Sequence, residues 1–195
     1  MVGEAARLIV LVAACAMSGP LGAEAFEVRG GCRDARPHGI YELSTADGRV
    51  RVLGAFNLGQ RTSSFLFWSP GGVRIAQIPW DDGTISGTVA LWYSDAPRGG
   101  DPPWKLQASF ARGVPDGPTR SWYRNGRLSG EYFYDRGALV AAKAWTASGA
   151  PVSEERARAQ AVKAAGENLR AFAALGAIVD ANLPRCEGDP GRTPQ

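Results

Sequence analysis

Residues 110–126 read FARGVPDGPTRSWYRNG: an aromatic, a glycine three residues on, a second glycine four further, then Trp122-Tyr123 and a glycine four beyond the tryptophan. The same beat runs through residues 48–149. Trp68, Trp92, Trp122 and Trp145 fall 24, 30 and 23 residues apart, and Gly59, Gly83, Gly113 and Gly137 precede them by 9, 9, 9 and 8. Each of those glycines follows an aromatic by three: Phe56, Trp80, Phe110, Tyr134. Gly72, Gly126 and Gly149 lie four residues after a tryptophan. One insertion accounts for the long interval, because Trp92 to Phe110 is 18 residues where Trp68 to Trp80 and Trp122 to Tyr134 are 12. The period is therefore 24, with six residues added in the loop 94–103. Self-similarity at a fixed period marks a repeat architecture.

Between the beats lie short β-rich runs. Val50 and Val52 alternate with arginines, and residues 64–68, 73–80, 88–93, 105–110, 119–123 and 128–134 follow in the same style. Asp47-Gly48 and Asn125-Gly126 are hairpin turn signals. Short strands joined by glycine-containing turns predict an antiparallel meander, about nine or ten strands long. No helical stretches alternate with them, which excludes a parallel α/β sheet. Residues 26–39 read as irregular, with a first strand starting near Tyr41. Tryptophans at one fixed offset predict a ladder on one face. Burial is the ordinary fate of such rings.

The flanks differ in character. Leu8 opens a ten-residue apolar run behind Arg7, followed by the A-x-A site Ala23-Glu24-Ala25. That is an export-signal pattern over residues 1–25, and its run is too short to span a bilayer. A rival reading takes Val12-Ala13-Ala14-Cys15 as a lipobox with Cys15 lipidated, the one route to a membrane anchor. Cleavage after Ala25 leaves two cysteines, Cys32 and Cys186. Their places on either side of the array, in an oxidising compartment, predict one disulfide tying the ends together. Ser153-Glu154-Glu155 is a helix start. Val162, Leu169, Phe172, Val179 and Leu183 then follow at helical spacing, predicting an amphipathic helix over 154–182 that caps an end or face of the array. The resulting division is 1–25 signal, 26–47 N-terminal segment and first strand, 48–150 repeats, 153–183 helix and 184–195 tail.

Chemistry is sparse. Hydrophobic residues make up 45% and charged residues 21%, which argues against disorder, and the net charge of +3 lacks the basic stripe that nucleic-acid binding needs. His38 is the single histidine, read as a loop residue outside the repeats. Asp81-Asp82 occupies the turn position matched by Ala111-Arg112 and Asp135-Arg136, so turn chemistry explains it. No Walker A motif or dinucleotide fingerprint is present, and no cofactor or metal site is expected. These features predict a protein without catalysis.

The unit aromatic-x-x-Gly-x-x-x-Gly-x-x-x-x-Trp-Tyr-x-x-Gly resembles the MORN repeat, specifically the bacterial variant of antitoxin-like proteins. Residues 110–126 and 80–93 carry it best. Ser63 and Ala141 stand where the second glycine belongs in the other two copies. The resemblance implies a sheet of hairpins serving as an interaction module, with antitoxin-like, immunity or scaffold binding of a protein partner. The export signal moves that role to the periplasm or outside the cell. The candidate binding residues are Trp68, Trp92, Tyr93, Trp122, Tyr123 and Trp145, with the loop 95–103 as a second candidate. A competing expectation is an envelope carbohydrate module, for instance for peptidoglycan. An uncapped sheet edge would favour self-association.

Overall fold

The computed structural model describes residues 25–94 and 102–186; residues 1–24 of the expected export signal, Cys15 among them, most of the inserted loop and the last nine residues lie outside them. Turns set the architecture. Leu58-Gly59, Asp82-Gly83, Arg112-Gly113 and Arg136-Gly137 all hold positive φ at both residues. That is the tight-turn geometry whose twist matches antiparallel strands. β1 spans Glu27–Arg33, β2 Arg36–Ser44, β3 Val50–Asn57 and β4 Gln60–Trp68. β5 spans Arg74–Asp81, and the next row breaks at Ser86 into β6 (Thr84–Ile85) and β7 (Gly87–Trp92). β8 is Trp104–Ala111, β9 Val114–Trp122, β10 Leu128–Asp135 and β11 Ala138–Ala144. They form one antiparallel sheet ordered as the chain runs, the mainly β meander of hairpins that the 24-residue period predicts.

Residues 26–39 need correction. They are not irregular but form β1 and the first half of β2, with Asp34 and Ala35 in the turn at φ 51° and 55°. Those two residues stand 24 before Leu58-Gly59, so the repeat begins one copy earlier than the glycines suggest. Ala35 in place of glycine, and Cys32 in place of the aromatic, hide it.

Two devices recur along the sheet. At one end, the N–H groups of Gly59, Gly83, Gly113 and Gly137 donate to the carbonyls of Pro37, Arg61, Ile85 and Pro115, at 2.7–3.0 Å. Each hairpin corner is thus stitched to the hairpin before it. At the other end, the pairs Ser44–Val50, Trp68–Arg74, Trp92–Trp104 and Trp122–Leu128 each follow a bulge. The extra residues are Arg51, Ile75, Lys105 and Ser129, and each bulge reverses the side-chain alternation and sharpens the twist.

One face of this sheet is covered by α1, Glu154–Asn182. Ser153 caps it, its hydroxyl accepting from the Arg156 N–H. The helix crosses from the last strands to the first. Ala157 and Ala161 pack with Tyr132, Tyr134, Ala142 and Ala144. Phe172 meets the Phe110 ring edge-on at 5.9 Å, and Val179 joins the cluster that holds Tyr41, Phe56 and Phe65. Arg61 of β4 reaches Asp180 at 2.6 Å and the Gly176 carbonyl at 3.1 Å. Beyond the helix, Cys186 is bonded to Cys32 of β1. Val162 and Leu169 do not belong to the inward stripe predicted for them, being 69% and 56% exposed. Alanines face the sheet there instead, Ala157 and Ala161 among them.

Candidate interaction face

Neighbouring residues of a strand point to opposite faces, and directly paired residues share one. Leu91 and Leu106 belong to the core beneath α1. Trp92, next to Leu91, therefore turns to the uncovered face, and Trp104, its partner across the β7–β8 pair, goes with it. The bulge at Lys105 is what lets Trp104 and Leu106, two apart, take opposite sides. The rings of Trp92 and Trp104 lie 5.0 Å apart, and Trp122 extends the stack 6.1 Å from Trp104. The Arg74 guanidinium sits 4.3 Å from the centre of Trp92. The result is a cation–indole–indole–indole row. Trp92 is buried within it, whereas Trp104 keeps 39% of its surface in contact with solvent.

The next row on the same face is polar. Gln77, Ala90, Gln107, Arg120 and Glu131 pair in succession across five strands. Arg120 donates to Glu131 at 2.9 Å. Flat indoles thus lie beside a line of amides and a guanidinium.

The six residues named from sequence separate. Trp92 and Trp122 come together, but only through Trp104, which the spacing argument missed because its equivalents in the other repeats, Val50, Arg74 and Leu128, are not aromatic. The available signal was its place at the end of the insertion, where the returning strand must begin opposite Trp92. Tyr93 and Tyr123 face the helix side and line a groove against α1. Their hydroxyls donate to the carbonyls of Trp122 and Trp145 at 2.8 and 2.7 Å, so they tie each repeat to the next. Arg124 lies 4.9 Å from the centre of the Tyr93 ring. Trp68 and Trp145 are half-buried at equivalent corners, outside the stack. The Trp68 carbonyl accepts from Arg51, and Trp145 forms a bridge to Pro151.

His38 lies in β2, not in a loop, and its Nδ1 faces the Leu58 N–H at 3.4 Å. Among the described residues, no group of three His, Cys, Asp or Glu is placed to hold a metal ion, and no helix is long and apolar enough to cross a membrane. The Cys32–Cys186 bond is consistent with an oxidising compartment. A scan against protein-family models finds no match to this chain, and a search of curated proteins finds none either.

Proposed function

We propose that this chain is an exported, non-catalytic interaction module that holds a protein partner on the sheet face left open by α1. The observation that carries the reading is the row Arg74–Trp92–Trp104–Trp122, with Trp104 partly exposed at its centre. Tryptophan and arginine dominate the energetic centres of protein interfaces, and a ring already held by neighbours loses little freedom on binding. The MORN-variant resemblance supports an antitoxin-like, immunity or scaffold role. The export pattern together with the disulfide supports a periplasmic or secreted setting. The test is capture of partners from envelope extract with the purified protein. Trp104→Ala and Trp122→Ala are expected to weaken capture without unfolding the sheet. An unchanged set of captured proteins sinks the aromatic-face assignment.

A second reading is an envelope carbohydrate module, favoured by the amide row of Gln77 and Gln107 beside the indoles. Sugar rings stack on flat aromatics, and their hydroxyls suit such amides. Sedimentation with purified cell wall that is abolished by Trp104→Ala would favour it over a protein partner.

A further inference from the structure

The polar row of the open face runs unbroken across the whole sheet. Arg29 and Glu42 begin it on β1 and β2, and Arg120, Glu131 and Lys143 end it on β9, β10 and β11. Leu53, Leu66, Gln77, Ala90 and Gln107 pair in succession between them. Charge is thus confined to the two ends of the row, and its centre carries none. An uncharged centre with a charged rim is the make-up of a protein interface. Apolar groups on the same face add to it, with Ile40 72% and Phe133 49% exposed. Among the described residues, the one element packed on the sheet is α1, and it takes the other face.

The order of the charges makes the row complementary to itself. Arg29 lies 3.7 Å from Glu42, and Arg120 lies 2.9 Å from Glu131. A second sheet laid face down about an axis parallel to the strands presents the row in reverse. With complete overlap Arg29 would meet Lys143 and Glu42 would meet Glu131, like charges at both ends. Shifted by one strand, with β5 on the axis, Arg29 meets the partner's Glu131 and Glu42 meets the partner's Arg120. Leu66 then lies on the partner's Ala90, and Gln77 faces its own copy, where two amides can donate and accept both ways. The two-fold axis repeats each contact, so both ends of the pair hold four alternating charges. Trp104 of β8 comes over the partner's β3, where Val50 holds the equivalent corner position. Arg74 also lies on β5, but its guanidinium is drawn over Trp92 and so away from the axis.

The face is large enough for such a pair. A shift of one leaves nine of the ten strands in the path overlapping. At about 4.8 Å between strands and roughly 3.3 Å per residue, strands of about eight residues give a footprint of roughly 1,100 Å². A standard stable interface takes about 800 Å² from each partner. The two sheets are identical, so their twists match and they can stack at the usual angle of about −30°.

We propose that the open face binds a second copy of this chain, face to face, about a two-fold axis along β5. This rests on the reading of that face as the interaction surface, and it names the occupant.

The test is the mass of the purified protein by light scattering and sedimentation. A dimer is expected at about 100 μM, and raising salt from about 0.05 to 0.5 M should weaken it several-fold. Arg120→Glu and Glu42→Arg each place like charges in both contacts, so each alone should weaken the dimer at least about tenfold. An equimolar mixture of the two variants should recover it, because the mixed pair again sets opposite charges in both contacts. Lys163→Glu, on the exposed side of α1, should change nothing. A monomer at about 100 μM overturns the proposal. So does a dimer indifferent to salt and to both substitutions, or a mixture of folded variants that stays monomeric. A monomer that still captures other envelope proteins through Trp104 overturns the second copy alone and leaves the interaction face standing.

Discussion

Ser63 holds φ at 62° in a column whose other members are Gly39, Gly87 and Gly117, at 90°, 109° and 97°. They are spaced by 24, 24 and 30 residues, so one backbone requirement is met by glycine three times and by serine once. A side chain in the left-handed region costs about 1–2 kcal/mol, partly offset by the stiffer unfolded chain that a non-glycine residue gives. Ser63→Gly is therefore expected to stabilise the protein by about 0.5–1 kcal/mol. Gly87→Ser should destabilise by more than about 1 kcal/mol, because a Cβ there would also meet Pro79 Cγ at 3.2 Å. Urea midpoints of the two variants decide both. Burial pushes the phenols of Tyr132 and Tyr134 above their ordinary range. The unfolded chain then gives up those protons first, so it binds fewer protons than the folded one and stability falls as pH rises. The contribution is complete below about pH 10, the ordinary tyrosine value, and is lost on passing above it. Urea midpoints measured between about pH 8 and 11 should fall, and Tyr134→Phe should make the fall shallower.

At the scale of the element, α1 is held by few large contacts on an alanine background. Phe172 is 6% exposed against Phe110, whereas Val162 is 69% exposed. Phe172→Ala is expected to cost about 3–4 kcal/mol through the cavity it leaves, and Val162→Ala less than about 0.5 kcal/mol. Equal losses in thermal or urea unfolding would mean that the helix sits in a different rotation. Its first turn also serves the sheet. Arg158 pairs with Glu154 at 2.9 Å, and its guanidinium lies 3.4 Å from the Leu139 and Val140 carbonyls of the terminal strand β11. Charged groups at a sheet end are a common guard against unwanted strand pairing.

For the whole molecule, the decisive link is Cys32–Cys186, which closes the chain across a separation of 154 residues. Terminal strands of a repeat array have a neighbour on one side alone, and closure of the ends is what such arrays need. Here α1 carries the chain back from β11 to β1, and the bond fixes it there. In the chain-entropy model a loop of this size contributes on the order of 4–5 kcal/mol. Cys32→Ser should lower the urea midpoint to that of the reduced protein, and reductant should then have no further effect on the variant. A variant as stable as the oxidised protein would assign the ends' cohesion to Arg61–Asp180 and the Val179 contacts instead.

The meander, its corners and the limits of the helix were legible in the chain itself. Positive φ at Gly59, Gly83, Gly113 and Gly137, the Ser153 cap and the alternation around Val52 are local matters, decided by each residue's own backbone and near neighbours. The first hairpin was not legible, because Ala35 adopts a turn conformation that its side chain does not advertise. Tertiary structure alone decided which rings meet. Trp104 joins Trp92 and Trp122 because a bulge at Lys105 turns it over and because pairing resumes opposite Trp92 after the insertion. Docking on the sheet decided which stripe of α1 faces inward, Ala157 and Ala161 with Phe172 and Val179 rather than Val162 and Leu169. Such outcomes depend on contacts between residues far apart in sequence, which no local pattern encodes.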